Sequence, residues 1–257
     1  MHVRYTVAAL LLLAAVVARA ADHRIKPLLV STQENFTFAV CGDNREGDAT
    51  YLQILAAVSN SHAAFLINTG DLVPHGSEEN WNHFDELMKN CTVPFFPVAG
   101  NHDLGEGGMK RFKRLTPTHS VHYSIDYGLI HFTMINDATD MDESELLWME
   151  KDLKETDKPV KVVVHHMPAW SPDGDPHGMQ HLREPFLKML DKYHVNFDLC
   201  GHDHGFRTGR RNQTTVVVTG GAGARLYHAE NEGGFHHYVE FTVKGTNVTF
   251  KPIPIKQ

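Results

Sequence analysis

The chain holds only three cysteines, Cys41, Cys91 and Cys200, in 257 residues, too few for a disulfide scaffold. Cys41 and Cys200 each close an apolar run, which reads as buried structural thiols. Positive charge is also scarce: 24 Lys and Arg against 31 Asp and Glu leave a formal net charge of -7. A nucleic-acid backbone or an anionic membrane as partner is therefore disfavoured, since both need clustered cations. No basic stripe exists beyond Arg207–Arg211. The Gly-x-Ser-x-Gly elbow, the Gly-x-x-x-x-Gly-Lys loop and the Cys-x-x-Cys pair are all missing, which leaves serine-hydrolase, NTPase and thioredoxin-like readings without support.

Long apolar runs are absent apart from Val7 to Ala18, which follows Arg4 and leads to Ala18-Arg19-Ala20. That is the tripartite pattern of a cleaved secretory signal, and the run is short for a bilayer span. Residues 1–20 are accordingly read as a signal peptide, residues 21–257 as one domain, and the protein as secreted or periplasmic. Asn35, Asn90, Asn212 and Asn247 each open an Asn-x-Thr sequon, a glycan acceptor where the host is eukaryotic and the side chain exposed. Histidine, by contrast, is abundant at 19 residues. The functional question is which of these imidazoles carry chemistry.

Short continuous apolar runs at Phe36-Val40, Phe65-Asn68, Phe95-Ala99, Val160-Val164 and Phe197-Cys200 predict strands buried on both faces. Helical spacing separates them at Thr50-Val58, Glu79-Met88, Ser144-Leu153 and Leu182-Tyr193, with Trp148, Leu147 and Leu153 on one apolar stripe. This is a βα alternation. His122-Asp126 and Leu129-Ile135 flank Tyr127-Gly128 as a hairpin. Thr214-Thr219, Phe235-Val243 and Thr246-Pro252 predict a C-terminal antiparallel part. Two packed sheets with helices outside accommodate both parts in one α/β domain.

In α/β sheets ligands gather beyond the carboxyl ends of strands. Five runs end in polar residues: Asp43-Asn44-Arg45, Gly70-Asp71, Gly100-Asn101-His102-Asp103, His165-His166 and Gly201-His202-Asp203-His204. Carboxylate oxygens and neutral imidazoles suit zinc, manganese or iron. Two ions sharing one carboxylate form the clamp used for in-line displacement at phosphorus.

This ordered set resembles the five-block signature of the calcineurin-like metallophosphoesterases, over nearly the whole chain from residue 21 and including Val218-Thr219-Gly220-Gly221-Ala222-Gly223. The resemblance implies a four-layer αββα sandwich of two mixed β-sheets with a dinuclear site at the strand C-terminal edge. It implies Asp71 as the carboxylate shared by two divalent ions (Mn, Zn or Fe), Asp43 and His204 on the first, and Asn101, His165 and His202 on the second, with His166 behind them. It further implies hydrolysis of phosphate mono- or diesters by a hydroxide held between the ions. His102 is then placed to protonate the leaving alkoxide and Asp103 to orient its ring. The expected partner is a small phosphorylated substrate.

Two departures stand out. Many members carry Asp-x-His in the first block, whereas this chain has Asp43-Asn44-Arg45. Arg45 cannot ligate a metal; its planar fork suits substrate phosphate oxygens or a neighbouring carboxylate, and a weaker first metal is expected. Purple acid phosphatases carry a tyrosine three residues after the shared Asp, where this chain has Pro74, so divalent ions are expected rather than a coloured ferric site. The rival reading is a catalytically silent metal- or phospholigand-binding protein that kept the fold. His177, His181 and Tyr227 lie in loops near the expected site and read as pocket walls or as surface.

Overall fold

A computed structural model of the chain describes residues 31–174 and 177–256; the expected signal segment lies outside them. In chain order the elements are β1 (Asn35–Cys41), α1 (Asp48–Asn60), β2 (Leu66–Asn68), α2 (Glu78–Met88), β3 (Phe95–Pro97), α3 (Gly108–Phe112), β4 (Tyr123–Tyr127) and β5 (Ile130–Met134). They continue with α4 (Glu143–Glu155), β6 (Val160–Val164), α5 (Arg183–Lys192), β7 (Phe197–Cys200), β8 (Phe206–Arg211), β9 (Thr214–Thr219), β10 (His237–Lys244) and β11 (Asn247–Pro254).

The strands form a five-stranded sheet in the order β11-β10-β1-β2-β3 and a six-stranded sheet in the order β4-β5-β6-β7-β9-β8. Within the first, β1, β2 and β3 are parallel while β10 and β11 run antiparallel beside β1. Within the second, β5, β6, β7 and β9 are parallel and both edge strands are antiparallel. Both sheets are thus mixed.

Successive strand residues point to opposite faces, and that alternation divides the core into layers. Phe36, Phe38 and Val40 of β1 meet Phe132, Val162, Val164 and Phe241 between the sheets. Phe38 stacks on Phe241 at 4.7 Å and meets Phe132 edge-on at 5.3 Å. Ala39 and Cys41, on the other face, pack on Tyr51, Ile54 and Leu55 of α1 and Trp81 and Phe84 of α2. Val163 similarly packs on Met149 and Leu153 of α4 and on Phe186 and Leu190 of α5. The result is the expected αββα sandwich.

Ser77 Oγ accepts from Asn80 N at 3.3 Å to start α2, and the Asp142 carboxylate accepts from Glu145 N at 2.8 Å to start α4. The α4 stripe differs from expectation. Leu147 is 66% exposed, and Glu145, Met149 and Leu153 face inward. All three cysteines are buried and unbridged. Strand β8 was not anticipated: as an edge strand with exposed and half-buried residues it has no continuous apolar run to betray it. No helix among the described residues is long and apolar enough to cross a membrane.

Candidate metal centre

Sharp turns after β1, β2 and β7 aim the polar residues at one point. Asp43, Asp71 and His202 all hold left-handed backbone, at φ 59, 57 and 64°, a region that L-residues enter at a cost and that Asp and His tolerate better than most. The buried Asp103 carboxylate pins the second of these turns. Oδ1 accepts from the backbone N–H of Leu72 (2.8 Å) and Val73 (3.1 Å), and Oδ2 from Asp71 (3.1 Å) and Gly100 (2.8 Å). Burial, aided by the neighbouring Asp71 charge, pushes the Asp103 carboxyl up to about 7. Asn44 binds the Leu72 carbonyl and accepts from Asn68, each at 2.9 Å, tying the first turn to the second. Gly100 is required where it stands, because a Cβ there would lie 2.3 Å from Asp71 Oδ1.

The atoms that converge are lone-pair donors facing one another. His166 Nδ1 sits 2.8 Å from the Thr69 carbonyl, so that nitrogen carries the proton and Nε2 is the basic one. Nε2 then faces Asn101 Oδ1 at 3.0 Å, His202 Nδ1 at 3.1 Å and Asp71 Oδ1 at 3.4 Å. On the other side of Asp71, His204 Nδ1 donates to the Arg225 carbonyl at 2.6 Å, which turns Nε2 toward Asp43 Oδ1 at 3.3 Å. That Asp43 oxygen is buried without a hydrogen-bond partner.

Asp43, Asp71 and His204 each offer a ligand atom within 4.8 Å of the others. Converging acceptors need a cation or protons between them. Burial disfavours protonation of His166 and His204, yet the charges of Asp71 and Asp43 win and hold both imidazoles above their ordinary range. His202, pressed by burial and by His166, falls to about 4. The donor set therefore fits two cations flanking Asp71, with the first lacking the imidazole that Arg45 replaces.

The structure brings Asp43, Asp71, Asn101, His202 and His204 together, and of the two adjacent histidines it is His166, not the expected His165, that faces them. His165 points away. Its Nδ1 lies 2.9 Å from Asp137 and its Nε2 2.8 Å from Asp198, with Phe186 against the ring at 4.9 Å. Burial lowers the pKa, but Asp198 and Asp137 outweigh it and raise His165 to about 10, so this is a buried imidazolium strut. The reason is strand parity: His165 continues the outward face of Val163, and His166 the inward face of Val162 and Val164. Asp137, which the motifs do not reveal, also accepts from the backbone N–H of His166 and Met167 at 2.8 Å each.

One further expectation changes. Asp103 holds backbone and does not touch the His102 ring; His102 Nδ1 lies 2.7 Å from the Pro74 carbonyl, and its N–H binds Asp71 Oδ1 at 2.9 Å. Arg45 takes the neighbouring-carboxylate alternative: Nε lies 3.2 Å from Asp71 Oδ2, and a terminal nitrogen 2.9 Å from Glu46. Tyr227, 51% exposed, stacks on His204 at 4.1 Å, and His177 stacks on His202 at 4.7 Å. His181 lies aside, its Nδ1 2.7 Å from the Met141 carbonyl. A cleft of about 940 Å³ opens beside the cluster, lined by His177, Asp203, Phe206, His228 and Phe235.

Comparison with known proteins agrees with this geometry. The model of the calcineurin-like phosphoesterase family matches residues 36–206. A probable glycerophosphodiester phosphodiesterase of Arcobacter nitrofigilis is 32% identical over 166 residues, covering 60% of this chain and 61% of its own length. Rabbit (Oryctolagus cuniculus) tartrate-resistant acid phosphatase type 5 is 26% identical over 215 residues, covering 65% of each. The chain thus spans somewhat under two thirds of these relatives. The purple acid phosphatase PPD1 of yellow lupin shares the fold with a TM-score of 0.70 at 17% identity, over 88% of this chain and 53% of that one. With about two thirds of the chain matched and the polar turns converging at one sheet edge, this protein belongs to the calcineurin-like phosphoesterase family.

Proposed function

We propose that the protein is an extracytoplasmic phosphoesterase that hydrolyses mono- or diesters of small phosphorylated compounds with two divalent ions. The observation that carries this reading is the pair of converging lone-pair donor sets sharing Asp71. Asp43, Asp71 and His204 would hold one ion and Asp71, Asn101, His166 and His202 the other. When bound, such a pair supplies Lewis acidity and lowers the pKa of a water molecule.

The chain's own groups orient substrate around that pair. Arg45 has Asp71 to hold its Nε, which aims the guanidinium beside the shared carboxylate for a forked contact with phosphate oxygens. His102 donates through Nδ1 to Pro74, so Nε2 is the nitrogen left to pass a proton to the leaving oxygen. Tyr227 and His177 cover the outer faces of the two ligand imidazoles and keep bulk water from them. The leaving group is accommodated in the neighbouring cleft against Phe206 and Phe235.

The test is hydrolysis of a chromogenic monoester and diester side by side in manganese, zinc or iron(II), with Asp71→Asn as control. Turnover by the natural chain and at least a 100-fold loss in the variant is expected. Equal inactivity of both would favour the silent binder.

A further inference from the structure

The four Asn-x-Thr sequons are scattered along the chain, at Asn35, Asn90, Asn212 and Asn247, and the fold gathers them at one end. Asn35 opens β1, whereas Asp43 follows the other end of the same strand. Asn247 opens β11 opposite Lys244 of β10, and Lys244 pairs with Asn35, so Asn35 and Asn247 share one row two strands apart. Asn90 follows α2 on its way back to the start of β3. Asn212 sits at the β8–β9 turn, beside the start of β7, whose far end delivers His202. All four side chains are exposed.

Each of the four therefore stands at the amino-terminal edge of the parallel strands, while the donor cluster stands at the carboxyl edge. The length of β1 alone, seven residues, separates the two edges by about 20 Å. A glycan is bulky and solvated and cannot be buried. Exposure is thus a necessary condition that all four meet, and a glycan at any of them would project away from the mouth of the site. Two of the side-chain amides already hold local partners: Asn90 Nδ2 donates to the Leu87 carbonyl at 2.9 Å, and Asn212 Nδ2 lies 3.1 and 3.0 Å from the Asp191 carboxylate oxygens. An N-linked sugar replaces one of the two amide hydrogens and leaves the other for such a bond.

We propose that Asn35, Asn90, Asn212 and Asn247 are N-glycan acceptors that sheathe the edge opposite the catalytic mouth and leave that mouth open. The proposal rests on the extracytoplasmic reading above. In the modification, an amide N–H of each asparagine adds to the sugar's anomeric carbon as a lipid-linked diphosphate leaves with the proton, so nothing is oxidised or reduced.

The test is intact-mass measurement of the full chain secreted by a eukaryotic cell line, before and after peptide N-glycosidase F, with the four Asn→Gln variants singly and together. The expected result is loss of one glycan mass per single variant, no residual glycan in the quadruple variant, and phosphoesterase kcat/KM within about twofold before and after deglycosylation. A secreted chain whose mass is unmoved by the glycosidase overturns the proposal. If the chain is not secreted, it is expressed behind a substitute leader. Glycans acquired on that route sustain the acceptor sites and overturn only the export reading; a bare chain overturns the acceptor sites as well.

Discussion

His165 and His166 differ by one position and have opposite fates. His165 lies fully buried between Asp137 and Asp198, and removing it leaves two buried carboxylates without their counter-charge. His165→Ala is expected to cost about 3–5 kcal/mol, read as a lowered urea midpoint, with metal uptake retained in the fraction that stays folded. His166→Ala should do the reverse: loss of one bound ion, measured by elemental analysis, with a smaller effect on the midpoint. Arg45→Ala, which frees Asp71 Oδ2 from its guanidinium, should raise KM for a monoester at least tenfold, and Arg45→Lys should recover only part because the fork is lost. His102→Ala should lower kcat by about 100-fold with metal content unchanged. Turnover undiminished at natural metal content would remove His102 from the chemistry. The pairing of the adjacent histidines was not legible in the sequence. Val162, Val163 and Val164 are one residue type on both faces, so nothing in the run tells which histidine continues the inward side.

At the scale of elements, the turns that converge on the site were legible because each follows a short apolar strand whose end the turn residues mark. The second turn illustrates what was not. Asp103 reads from the motif as a partner of the His102 ring, yet it gathers four backbone N–H groups from two loops, a role with no signature beyond the residue's presence. Strand β8 escaped for a different reason: its alternation of exposed and half-buried residues is that of an edge, and Arg207, Arg210 and Arg211 read as a basic stripe.

Strand β10 supports a pH prediction. His237 at its start is buried and neutral, 3.1 Å from Thr219 Oγ1 and 2.8 Å from the Phe235 carbonyl, and burial lowers its pKa to about 4. Above the ordinary imidazole range neither folded nor unfolded chain binds this proton. Below pH ~6.5 the unfolded chain does and the folded one does not, so stability falls by about 1.4 kcal/mol per pH unit until pH reaches about 4. The difference in urea-unfolding free energy between the natural chain and His237→Gln should change with this slope between pH 7 and 4.5, the natural chain losing its advantage as pH falls; a difference that does not vary with pH would contradict it.

Across the whole molecule, the excess of negative charge and the pairing of the one arginine-rich stretch speak to substrate class. Arg207 pairs with Asp173 and Arg211 with Asp191, so those two charges of the stretch are matched locally rather than offered as a track for a polyanion. The sandwich brings turns from both sheets to one edge, and the two donor sets depend on that convergence: Asp43, Asp71 and Asn101 arrive from the first sheet, His166, His202 and His204 from the second. The layer order was readable from the alternating pattern and the family resemblance, whereas which end of the molecule carries the sequons emerged only from strand register. The most direct test of the shared-carboxylate centre is titration of the metal-free protein with Mn²⁺ by calorimetry, with elemental analysis of the product. Two ions per chain of unequal affinity are expected, the weaker at Asp43, Asp71 and His204, and Asp71→Asn should impair both. A single ion at saturation, or two that survive Asp71→Asn unchanged, would contradict it.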